Sequence, residues 1–137
     1  MQKRYLIILV VLVIVGGFQL YLYFSDSVPA SRQRIELSTS EFAAEGEFAL
    51  DAVKSYYHDS RKFSRCWNNY GDIFQNAVKL LKERKLREPD IRRIYRFKSS
   101  SNRIMVELGD GNGPDIAVMV WRGSDGRLAI SDISELE

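Results

Sequence analysis

The pattern of apolar and polar positions changes three times along the chain. From Tyr5 to Phe24 there is an uncharged run of twenty residues, fourteen of them Leu, Ile, Val or Phe, with Gln19 the one clearly polar side chain. At about 1.5 Å per residue such a helix covers roughly 30 Å, the hydrocarbon thickness of a bilayer. The fourteen apolar residues favour insertion by about 4–8 kcal/mol, enough to carry one Gln and two Gly. Tyr5 at one end and Tyr21 and Tyr23 at the other suit the two interfaces. Val28-Pro29-Ala30 loosely resembles a small-residue cleavage site. The run is nevertheless longer than the h-region of a secretory signal, about 7–15 residues, and the pattern predicts an uncleaved single-pass anchor. Lys3 and Arg4 on the short flank predict a cytoplasmic tail over residues 1–4, a transmembrane helix over 5–24, a linker over 25–36 and an extracytoplasmic domain over 37–137.

Beyond the linker the period becomes helical. Ser38-x-x-Glu41 has the form of a capping box, and the helix it opens is expected over 39–58, with Phe42, Ala49, Ala52, Val53 and Tyr56 on one stripe. Residues 58–71 show no clear period and read as irregular or a short helical turn, tucked onto the core by Phe63, Trp67 and Tyr70. Asp72-x-x-Gln75 starts a second helix, expected over 72–86, with Ile73, Ala77, Leu80 and Leu81 on one face and Pro89 stopping its continuation. From Ile91 the period is two. Ile91–Lys98, Arg103–Leu108, Ile116–Arg122 and Arg127–Ile133 read as strands joined by polar, turn-rich links, and such short links demand an antiparallel meander. The expected fold class is α+β: an N-terminal transmembrane helix, then two helices packed on a four-stranded antiparallel meander.

Composition narrows the picture. The residues after the anchor suit one small domain, and 45% hydrophobic residues across the chain suffice for a core. The lone cysteine, Cys66, excludes an internal disulfide and lies too far from the apolar run to carry a lipid anchor; it reads as a small buried hydrophobe. A net charge of +2 conceals segregation. Residues 26–51 hold six acidic and two basic side chains, residues 54–103 hold five and fourteen, and residues 107–137 hold seven and two.

Little of this amounts to catalytic chemistry. His58-Asp59-Ser60 has the residue types of a triad, but neighbours in sequence cannot converge on one substrate atom, and at a helix end they cap. Cys66 has only His58 as a possible base. Asp110-Gly111-Asn112-Gly113-Pro114-Asp115 places Pro and Asp where a calcium loop needs a ligand and a glycine, so it reads as a hairpin loop. No cofactor or metal is expected. The basic run from Lys79 to Lys98 ends in Arg92-Arg93-Ile94-Tyr95-Arg96-Phe97-Lys98, where cations alternate with aromatic rings. Arg92, Arg93, Arg96 and Lys98 are the candidate partner-binding residues, for an acidic protein, a second copy of the chain or anionic lipid heads rather than nucleic acid. The same run also fits a solvated helix end and an edge strand kept soluble by charge.

The stretch Val120–Ile133 (VWRGSDGRLAISDI) resembles the closing hairpin of nuclear-transport-factor-two-like domains, and Ala52–Tyr57 (AVKSYY) looks like the first helix of that superfamily. The likeness spans residues 40–135 and rests on apolar positions and turns; the strand usually set between the helices is not evident. It implies a cystatin-like α+β domain without catalysis. Membrane-anchored bacterial members include inner-membrane assembly factors of type IV secretion and conjugation systems, which use the domain to bind partners and oligomerise. Two rival readings stand beside it. One is a pilin-like subunit, although the chain lacks a glycine-phenylalanine leader site ahead of the apolar run. The other is a ligand-binding or enzymatic pocket between helices and sheet.

Overall fold

The computed structural model describes residues 2–25, 34–100 and 102–136. They form helix α1 (Gln2–Ser25), strand β1 (Arg34–Glu36), helices α2 (Ala43–His58), α3 (Ser60–Arg65) and α4 (Asp72–Arg84), and strands β2 (Asp90–Phe97), β3 (Arg103–Gly109), β4 (Ile116–Arg122) and β5 (Leu128–Glu135). Residues 26–33, with most of the expected linker and Val28-Pro29-Ala30, lie outside the described part.

Helix α1 is the one helix among the described residues long and apolar enough to cross a membrane. Its leucines, isoleucines and valines from Leu6 to Val15 are exposed, and among the described residues no α1 side chain enters the core of the domain. A signal sequence satisfies the same test of length and composition.

The sheet has five strands, not the expected four, in the order β1-β2-β3-β4-β5 with every pair antiparallel. The additional strand is β1, which the sequence places inside the linker. Three residues with a single apolar side chain, Ile35, give no readable period. The strand exists because Arg34, Ile35 and Glu36 pair with Phe97, Arg96 and Tyr95 of β2.

The first domain helix begins at Ala43 rather than at 39, because the capping box does not form. The Ser38 hydroxyl meets that of Ser40 at 2.7 Å, and Phe42 becomes the N-cap without a side-chain bond. The stripe is otherwise as read, with Ala49, Ala52 and Val53 fully buried. Helix α4 ends at Arg84 with Lys85 in a left-handed conformation, φ 50°. It buries Ala77 and Leu81 and packs Phe74 and Val78 against the core, whereas Ile73 is 52% exposed. The stretch without a period contains α3, whose N-cap Asp59 accepts from the amides of Arg61 and Lys62. Phe63 and Trp67 are buried there, and Tyr70 stays exposed with its ring edge-on to Phe74.

Two β-bulges decide which side chains meet the helices. In β2 the register steps between Ile91 and Arg93, and in β4–β5 it steps between Met119 and Val120, leaving Arg92 and Ser131 as the extra residues. A bulge lets residues three apart share a face. Ile91 and Ile94 therefore both approach α2, and Ile130 and Ile133 both enter the core. Where α2 crosses β2 the helix carries Gly46, and a Cβ there would lie 3.0 Å from Ile91 Cδ1 and 3.1 Å from Ile94 Cδ1. On the far edge, Ile130 exchanges backbone bonds with Cys66 (2.7 Å) and Asn68 (3.1 Å), so the chain around Trp67 covers part of β5.

Candidate interaction face

All the helices that enter the core lie on one side of the sheet. The other side carries a separate apolar cluster of Tyr95, Met105 and Ala117, with Phe97, Met119 and Leu136 packed around it, and among the described residues no helix contributes to it. The bulge at Arg92 sets this side, because past it Arg93, Tyr95 and Phe97 alternate outward. Across the sheet Tyr95 stands beside Glu36 and Met105, then Met119 and Asp132 follow.

Tyr95 is only 1% exposed although no helix among the described residues contributes to its cluster. The guanidinium carbons of Arg34 and Arg93 each lie 4.9 Å from its ring centroid, and Phe97 stands edge-on at 5.8 Å. Glu107 sits beneath them, 8% exposed, with Arg93 Nη1 at 3.7 Å and Arg34 Nη1 at 4.0 Å from Oε1. Arg93 also donates to Glu36. Two arginines thus face two glutamates, and the cluster is charge-balanced. The Arg93 hydrogen bond holds the Glu36 carboxyl below its ordinary pKa. Burial pushes the Tyr95 hydroxyl and the Asp132 carboxyl up. At such a site buried charges are held by partners.

The four basic residues singled out in the sequence do not share a face. Arg93 belongs to the cluster just described. Arg92 is the bulged residue and reaches over Gly109, its Nε 3.2 Å from where a Cβ would stand. Arg96 pairs opposite Ile35 on the helix side of the edge, and Lys98 is exposed in the β2–β3 turn. Adjacency in sequence made them look like one patch, but strand alternation and the bulge divide them.

Elsewhere, Asp110 organises the β3–β4 loop. Its carboxylate accepts from the amides of Arg87 and Asn112, both at 2.9 Å, which holds its pKa down, and Arg84 Nη2 lies 3.7 Å away. Burial raises the Cys66 thiol, whose Sγ reaches Lys62 O at 3.3 Å. Among the described residues no three His, Cys, Asp or Glu side chains are placed to hold a metal ion. One pair went unread in the sequence: Glu45 on the first turn of α2 is buried and joined to Arg122 at the end of β4, seventy-seven residues away. Trp121 is half-buried at that same end of the sheet.

The class these features define is an α+β domain, open on one side of a five-stranded antiparallel sheet, carried on an N-terminal apolar helix. Compared with known protein families, curated proteins and solved structures, the chain matches none.

Proposed function

We propose that the protein is a non-catalytic, single-pass membrane module of a bacterial envelope complex, whose α+β domain holds a protein partner on its open sheet face. In this reading α1 spans the cytoplasmic membrane with residues 1–4 inside and the domain outside. The observation that carries it is the apolar cluster of Tyr95, Met105 and Ala117 on a sheet side that no helix covers. Phe97, Met119 and Leu136, the partly exposed members around that buried trio, would give a partner an apolar centre with a charged rim. The likeness to nuclear-transport-factor-two-like domains, and to the assembly factors of secretion and conjugation systems among them, supports an assembly role and a place beside that superfamily.

Met119 lies at the middle of this face and is partly exposed, so Met119→Arg puts a charge into the contact without opening the helix-side core. Tagged full-length protein purified from its own membranes should bring down a defined partner, and Met119→Arg should lose it while melting within about 5 °C of the parent. Recovery of a second copy of the chain through the same face would make the complex a homo-oligomer. Recovery of the same partner with Met119→Arg would refute the face.

A further inference from the structure

A cleft on the helix side of the sheet holds a group for which the open face has no use. It lies between the start of α2 and the β2–β3 and β4–β5 turns, encloses about 550 Å³, and is lined by Phe42, Ile104 and Trp121 with Asn102 and Ser124 among its polar residues. Small-molecule sites fall in this range of size and share this mix of apolar walls and few polar groups. Glu45 reaches the cleft from α2 and is 1% exposed. Its Oε1 is joined to Arg122 Nη2, while Oε2 has no hydrogen-bond partner among the described residues. A carboxylate buried with a bare oxygen is costly and uncommon, and it calls for a donor.

Arg122 does not supply that donor. Among the described residues only its Nη2 is engaged, and its side chain is 51% exposed, so it covers the carboxylate from the solvent side. With Arg122 turned outward, the cleft would present a single negative charge, with Phe42 and Trp121 in its lining. An anion drawn to Arg122 would meet the bare Oε2 with like charge. A cation would satisfy it, and the faces of Phe42 and Trp121 would favour the same charge.

We propose that this cleft binds a small organic cation: a primary ammonium or guanidinium on an apolar stem, with Glu45 Oε2 as its acceptor. Phe42 and Trp121 hold the stem and Arg122 yields its place. Glu45 and Arg122 lie on the helix side, away from Tyr95 and Met119, while Trp121 follows Met119 in the alternation of β4 and closes the cleft at the end of the sheet. Partner capture and small-cation binding are separate measurements, so the two readings fail independently.

The test uses the full-length protein in nanodiscs of zwitterionic lipid, with n-butylguanidinium as the probe and the indole N–H resonances of Trp121 and Trp67 as reporters. Trp121 should move along a saturable curve with half-saturation on the order of 1–10 mM, as a ligand of this size allows. Trp67, packed in the aromatic core, should stay still. n-Butyrate should produce no such curve. Glu45→Gln, which keeps the shape and removes the charge, should weaken binding about tenfold or more. Phe42→Leu, at a partly exposed position, should weaken it several-fold and serves if Glu45→Gln does not fold. Tighter binding of an arginine-containing peptide than of butylguanidinium would assign the cation to a partner's side chain and still support the cleft. No saturable shift of Trp121, an equal response to butyrate, undiminished binding by a folded Glu45→Gln, or, where that variant does not fold, undiminished binding by Phe42→Leu would overturn the proposal.

Discussion

Removing the hydroxyl of Tyr57 should cost the domain about 2 kcal/mol, and most of that should come from one backbone amide. The hydroxyl donates to Leu81 O at 2.7 Å and accepts from Leu86 N at 3.1 Å, tying α2 to the end of α4. Burial raises its pKa, so it remains a donor across the ordinary pH range. The two bonds differ in consequence. Leu81 O keeps the amide of Lys85 at 3.1 Å as a partner, so this bond is worth an ordinary net 0.5–1 kcal/mol or about that. Leu86 is 6% exposed and its amide has no other partner among the described residues. Orphaning a buried donor costs about 1–2 kcal/mol. For a domain of this size Tyr57→Phe should lower Tm by roughly 8–16 °C. Tyr56 is the internal control. Its hydroxyl lies 3.4 Å from Val78 O, a long contact, so Tyr56→Phe should cost less than about 0.5 kcal/mol. Urea unfolding of the fragment 34–137, followed by tryptophan fluorescence, measures both, since α1 adds nothing to the core. Equal losses for the two variants, or a Tyr57→Phe loss under about 0.5 kcal/mol, would refute the reasoning.

Lys85 is exposed and left-handed at φ 50°. Lys85→Gly should stabilise the domain by about 0.5–1 kcal/mol, the relief of strain exceeding the added freedom of the unfolded chain; a fall in the urea midpoint would count against the assigned conformation. Asp132 is half-buried, and the partial loss of water holds its carboxyl above its ordinary value. A carboxyl raised in the fold stabilises it when protonated, so its contribution is present below about pH 4, the unfolded value, and is lost as pH rises through the folded one. Asp132→Asn should therefore raise Tm at pH 7 and leave it nearly unchanged at pH 3. A fall at pH 7 that disappears at pH 3 would show instead that the carboxylate is held by a partner.

Long elements were legible because burial imposes a period on them. The stripe of Ala49, Ala52 and Val53 and the alternation of β3 and β4 identify α2 and the central sheet. Short elements had no room to show one. In β1 only Ile35 is apolar, and its pairing with β2 crosses some sixty residues of chain. The signal for α3 was present in Asp59, read as a capping type, yet six residues carry too little pattern to separate a helix from a turn. Bulges hide for the opposite reason. Ile91 and Ile94 look out of phase in a regular strand, and only the extra residue Arg92 reconciles them. The candidate site suffered most, because its geometry depends on distant pairings. Glu36 with Arg93 and Glu45 with Arg122 join residues fifty-seven and seventy-seven apart. Charge balance of that kind cannot be read from a basic run.

Strand β1 also has a mechanical meaning. Any load that passes from α1 to the domain enters at Arg34, the first residue of a three-residue strand held by a single neighbour. Such a strand gives way before the four behind it, because none of the buried core residues belongs to it. Peeling it leaves β2 to β5 and their core standing and releases Glu36 and Arg34 from Arg93, Tyr95 and Glu107. What the tug exposes is the bare edge of β2, a row of unpaired amides and carbonyls able to template another strand. Tension on α1 would therefore bare a binding edge before it reached the core.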